Sequence, residues 1–112
     1  MKIWISELEK INRKFEPASR TKNPGSLEFA AEHSARTKDW VKQLAYLLRA
    51  IVVDHAFDDG NKRTAAYLIT KCFDVNKLAY SDEKIARLII KIASKNETNI
   101  NKIKRMIENE TV

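Results

Sequence analysis

Apolar residues recur along this chain at helical spacing, and no stretch alternates long enough to make a sheet. Ser6 followed by Glu9 has capping-box spacing and predicts a first helix running to about Glu16. Residues 17–26 are rich in Ser, Thr, Asn, Pro and Gly and carry no period. They read as an exposed loop, with Asn23-Pro24-Gly25 turning into a helix that begins near Leu27. Asp39 is placed to cap the next helix, whose stripe is Trp40, Leu44, Leu47, Leu48 and Ile51. Ala45, Tyr46, Ala50 and Val52 broaden that stripe until little polar surface remains, so this helix is expected at the centre of the fold. After a polar loop, a helix from about Lys62 buries Ala65, Leu68, Ile69, Cys72 and Phe73. Ser81 caps another with Ile85, Leu88, Ile89 and Ile92, and the last carries Ile100, Ile103, Met106 and Ile107. The fold class is therefore all-α, an orthogonal bundle of about six helices. A short strand at Ile3 to Ile5 or a hairpin within residues 17–26 is the only room left for β structure.

Composition narrows the class. A chain of 112 residues with 44% hydrophobic and 32% charged residues fits one globular domain over residues 1–112. The longest apolar run, around Leu44 to Val53, is interrupted by Arg49 and is too short for a membrane span. The N-terminal residues run into Glu7, Glu9 and Lys10 without a secretory core, and the single Cys72 has no partner for an internal disulfide. Cytoplasmic residence is the expectation. The net charge is +6, but 21 basic residues are scattered among 15 acidic ones, with no arginine-rich arm or zinc-finger spacing. A solvated basic surface explains that charge better than nucleic-acid binding does.

The chemistry gathers in one run, His55-Ala56-Phe57-Asp58-Asp59-Gly60-Asn61-Lys62-Arg63, between the two most apolar helices. A helix start presents unpaired N–H groups and the positive end of its dipole, which together favour an anion. Gly60 lets the backbone turn and aim amides at a phosphate, and Lys62 and Arg63 add charge, Arg63 as a fork matched to phosphate oxygens. Asp59 could hold Mg²⁺, which takes one or two carboxylates and completes its shell from phosphates and water. His55 is the side-chain type most often used to take a proton from a hydroxyl at neutral pH. These parts suit phosphoryl or nucleotidyl transfer.

The run resembles the Fic/Doc family pattern His-x-Phe-x-(Asp/Glu)-Gly-Asn-(Gly/Lys)-Arg at His55, Phe57, Asp59, Gly60, Asn61, Lys62 and Arg63. Lys62 followed by Thr64-Ala65 is similar to the death-on-curing (Doc) branch. Asn23-Pro24-Gly25-Ser26 resembles the flap that clamps a target segment there. The resemblance implies that His55 is the base that deprotonates a Ser, Thr or Tyr hydroxyl of a target protein and that Phe57 anchors the loop in the core. It implies that Asp59 binds Mg²⁺, that Gly60 and Asn61 shape the anion hole, and that Lys62 and Arg63 contact the phosphates of ATP or another nucleoside triphosphate. Phosphoryl transfer is the expected reaction; AMP transfer (AMPylation) and a non-catalytic nucleotide-binding module are the alternatives. AMP-transferring relatives place a second arginine where this chain has Ala66, and Doc places an amide where it has Tyr67. Many members carry an inhibitory Ser/Thr-x-x-x-Glu helix. No glutamate here has Ser or Thr four residues earlier, which implies a separate antitoxin chain for a toxin of this kind.

Plainer roles stand beside these. Asp59 could cap the following helix, and Asp54 and Asp58 read as solvated loop charges. Lys62 and Arg63 could be an ordinary helix start, although cations there oppose the dipole. His33 reads as a surface histidine, Cys72 as a core thiol, and Trp4 and Trp40 as packing residues. One Cys and two distant His supply no zinc ligand set.

Overall fold

In the computed structural model, residues 5–111 are described. They form α1 (Ile5–Phe15), α2 (Pro24–Ser34), α3 (Trp40–Leu48), a π-helical turn (Arg49–Val53), α4 (Asn61–Val75), α5 (Asp82–Lys95) and α6 (Ile100–Thr111). The all-α bundle expected from the periodicity is what the described residues build. The strand considered at Ile3 to Ile5, and Trp4, lie outside them or at their edge; Ile5 itself is helical.

The ends of the helices follow from local chemistry. The Asp39 carboxylate accepts from the N–H groups of Val41 and Lys42 and so caps α3. Ser81 caps α5 by accepting from Lys84 N–H at 3.2 Å, and Asn96 closes it in the left-handed conformation at φ 48°. Ser6 does not act as the predicted cap, because α1 already includes Ile5 and Ser6 sits inside it.

Helix α3 packs against α2 and α6, α1 lies on α4, and the π-helical turn reaches α4 and α5. Leu44, Leu48 and Ile51 are fully buried between these layers with Leu68, Ile69, Ile92 and Ile103. Trp40 packs edge-on against Phe73, with ring centroids 6.0 Å apart, and Cys72 is buried on the same face of α4.

Three expectations need correction. No hairpin forms in residues 17–26; the only β pairing among the described residues is an isolated antiparallel bridge between Thr21 and Phe57. Of the flap residues, Asn23 precedes α2 as its N-cap, while Pro24, Gly25 and Ser26 form its first turn, so the helix starts three residues before Leu27. Proline fits there because its fixed φ is helical and its missing N–H falls where no intrahelical acceptor exists. His33 is half-buried rather than at the surface. Its ring lies 4.0 Å from Phe29 and 5.5 Å from Tyr46, and the Arg49 guanidinium covers both of those aromatic rings.

Candidate active site

The loop from Asp54 to Gly60 begins where the helix widens. Asp54 N–H donates to Arg49 C=O at 3.0 Å and Ala56 N–H to Ala50 C=O at 3.1 Å, bonds that span more than an α-turn. The chain leaves this turn through His55 at φ 51°, a left-handed conformation that histidine tolerates better than most side chains. The Asn23 amide fixes the exit by donating to the carbonyls of Asp54 and His55. His55 is exposed, whereas Ala56 and Phe57 turn inward and are buried.

Two sets of bonds then shape the loop. On one side, Lys22 and Asn23 N–H donate to Ala56 C=O at 2.7 and 3.0 Å, and Asp58 N–H donates to Arg20 C=O at 2.9 Å. On the other, Asn61 accepts from Phe57 N–H at 3.1 Å and donates to Phe57 C=O at 2.9 Å. The Asn61 side chain, expected to help shape the anion hole, is thus committed to the loop backbone. Asp58 is not simply solvated, since its carboxylate accepts from Arg20 N–H at 3.2 Å.

Gly60 is the N-cap of α4 at φ 71° and offers no side chain to the helix start. Helix geometry leaves the N–H groups of Asn61, Lys62 and Arg63 without intrahelical acceptors. Asp59 does not cap the helix in the usual way: its carboxylate accepts from Gly60 N–H at 2.8 Å and is exposed. Lys62 and Arg63 are exposed, and among the described residues neither forms an ion pair. Two cations in no ion pair at the positive end of a helix favour an anion there.

A cavity of about 580 Å³ brings together His55, Asp59, Gly60, Asn61, Lys62 and Arg63, and Glu16, Ala93 and Asn96 help to line it. Phe57 lies beneath it in the core. Asn23 braces the loop from outside, and Pro24, Gly25 and Ser26 do not line the cavity. Beyond Lys62 and Arg63 a second, more apolar groove of about 570 Å³ opens between α4 and α5, and it contains Ala66 and Tyr67. No group of three or more His, Cys, Asp or Glu side chains among the described residues could cage a metal. The exposed Asp59 carboxylate, with Asp58 beside it in the cavity lining, still fits Mg²⁺, which draws most of its ligands from phosphates and water.

Sequence reasoning passed over Asn12 and Ser19, both buried and both bonded to the loop at Asp59. The trace was a polar residue four positions after Leu8 on the buried face of α1.

A family model described as the Fic/DOC family matches residues 5–73, more than half of the chain. The match runs from α1 through most of α4 and includes the whole loop. Comparisons with curated proteins and with solved structures gave no match.

Proposed function

The chain belongs to the Fic/DOC family, which includes nucleotide-transferring enzymes, and from that premise we propose that it acts as a Doc-like protein kinase. In this reading it moves the terminal phosphoryl group of ATP or another nucleoside triphosphate to a Ser, Thr or Tyr hydroxyl of a target protein. The supporting observation is the shared cavity, which is lined by an exposed histidine, by a helix start bearing two cations in no ion pair among the described residues, and by the Asp58 and Asp59 carboxylates.

Each step has a residue. The triphosphate lies at the start of α4, where the amides following Gly60 and the Lys62 and Arg63 side chains neutralise its oxygens. Asp59 would hold Mg²⁺, which when bound offsets the charge that builds on the transferring phosphate. His55 accepts the proton as the target oxygen bonds to the γ-phosphorus. The bond from that phosphorus to the β–γ bridging oxygen breaks, and the nucleoside diphosphate leaves with the electron pair. Ala66, where AMP-transferring relatives carry arginine, favours attack at the γ- rather than the α-phosphorus. In this reading the enzyme is a toxin restrained by a cognate antitoxin protein.

The test is radiolabel transfer to proteins of a cell extract, with Mg²⁺ and ATP labelled at either the α- or the γ-phosphorus. Phosphoryl transfer labels protein from the γ position only. Label from the α position alone means AMP transfer. No label from either, with ATP still bound in a titration, leaves a non-catalytic nucleotide-binding module.

A further inference from the structure

Four polar side chains are buried among the described residues: Asn12, Ser19, Gln43 and Thr64. Two of them, Asn12 and Ser19, grip the Asp59–Gly60 peptide, and Thr64 touches Asn12. Asn12 Nδ2 donates to Asp59 C=O at 2.7 Å and to Thr64 Oγ1 at 3.3 Å. Ser19 Oγ donates to the same carbonyl at 3.2 Å and accepts from Asp59 N–H at 3.3 Å. A trans peptide carries its C=O and N–H on opposite edges. Drawing the Asp59 carbonyl toward α1 therefore turns Gly60 N–H outward, where the Asp59 carboxylate now meets it.

The grip leaves one group of its own unsatisfied. Asn12 Oδ1 is buried and has no hydrogen-bond partner among the described residues. Leu8, one turn earlier on the same face, is fully buried, so an apolar residue suits the position. A group that orients a peptide toward a cleft while leaving its own acceptor unpaired is better explained by what it positions than by the packing it provides.

We infer that Asn12, assisted by Ser19, is a positioning residue of the phosphate site. It sets the plane of the Asp59–Gly60 peptide and with it the start of α4, so that the amides of Asn61, Lys62 and Arg63 face the bound anion. The inference rests on the transfer reading of the cleft. Removing the Asn12 donor lets that peptide rotate, which weakens anion binding without loosening the core.

Calorimetric titration with inorganic tripolyphosphate, alone and with Mg²⁺, tests this together with thermal melting and amide NMR. Asn12→Leu should melt at or above the wild-type temperature yet bind on the order of tenfold more weakly, the size of one lost hydrogen bond to a charged group. Its Asn61 and Lys62 amide signals should lose the shift that tripolyphosphate causes in the wild type. Leu8→Ala, a control in the same helix, should melt lower and bind normally. If Asn12→Leu binds as wild type does, or if Leu8→Ala loses as much affinity, the inference is wrong. Should Asn12→Leu fail to fold, Ser19→Ala removes the second donor to the same carbonyl; weaker binding supports the inference and unchanged binding overturns it. A wild-type protein that binds no tripolyphosphate removes the phosphate site itself, and the positioning role with it.

Discussion

Adding a single methyl group at Gly60 probes how tightly the loop is held. The residue sits at φ 71°, so an alanine there enters the left-handed region at about 1–2 kcal/mol. A stiffer unfolded chain returns about 0.4–1 kcal/mol of that. The new Cβ would lie 2.9 Å from Glu16 Cγ and 3.2 Å from Asn12 Nδ2. The two contacts differ in consequence. The Glu16 side chain is only half-buried and can swing into the cleft. Asn12 is fixed by its bonds to Asp59 and Thr64 and must give up at least one, for about another 1 kcal/mol. Gly60→Ala should therefore lose about 1–2 kcal/mol, seen as a melting temperature lower by about 5–12 °C in a chain of this size. ATP affinity should fall further than that loss explains, because the displaced peptide sets the direction of the amides that follow it in the proposed anion site. Gly25→Ala is the control: nothing lies within 4 Å of a Cβ there, and the residue is in the first turn of α2, so the change should be neutral or mildly stabilising. Melting and ATP titration of both variants decide the matter. A Gly60→Ala protein that melts and binds as wild type does, or a Gly25→Ala protein equally impaired, would refute the tight fit inferred between α1 and the loop.

Three more perturbations divide the roles within the chain. His55→Ala should reduce transfer by roughly a hundredfold to ten-thousandfold, as loss of a positioned general base does, while ATP titration shows little change; full residual transfer would remove the base. Asp59→Asn should make ATP binding much less dependent on Mg²⁺, whereas Arg63→Ala should weaken it with or without the ion, and equal behaviour in the titrations would defeat the assignment. Asp39 is the pH-sensitive structural group. The hydrogen bond from Lys104 outweighs the opposing effect of burial and, with the capped amides of α3, holds the carboxyl below 3.8. The stability it adds is complete above 3.8 and disappears as pH falls through the lower folded value. Asn can still cap the helix but cannot pair with Lys104, so Asp39→Asn should flatten that acid-side fall in melting temperature, and an unchanged profile would count against the pair.

The four apolar stripes from Trp40 to Ile107 were legible because helices bury one face, and a period of 3.6 survives in the sequence wherever that face is continuous. Asp39 and Ser81 were legible as caps because a capping side chain acts two or three residues away. The start of α2 was misplaced because Pro24-Gly25 fits both a turn and the first turn of a helix, and local preference alone does not separate them. What decides is tertiary: the Asn23 amide is drawn to the carbonyls of Asp54 and His55, which leaves Pro24 at the first helical position. The π-helical turn at Arg49–Val53 left no trace at all. Arg49-Ala50-Ile51-Val52-Val53 carries no glycine, proline or change of apolar pattern that would separate a wider turn from an α-turn, and the wider turn is set by where Asp54 and Ala56 donate.

The candidate site divides along the same line. The side chains that would touch a nucleotide lie within nine residues, from His55 to Arg63, so their spacing could be read directly. The groups that hold the loop come from far along the chain: Asn12 and Ser19 are 47 and 40 residues from Asp59. Their only local signature is a polar residue on an otherwise apolar face and a serine in a segment that resembles an exposed loop. Such positions are usually discounted, because an isolated buried amide is unfavourable and a loop serine is common. Here the unfavourable feature is the informative one. An amide that leaves Oδ1 unpaired to grip a distant carbonyl makes sense only in relation to what that carbonyl orients. A loop carrying this motif on a scaffold without the α1 brace would keep the charges of Lys62 and Arg63 but not a fixed set of amides beside them. Anion affinity in such a loop would then follow ionic strength, as loosely held surface charges do. Bonded amides resist salt better. A tripolyphosphate affinity that falls steeply with salt in Asn12→Leu but gently in the wild type would separate charge from geometry in this cleft.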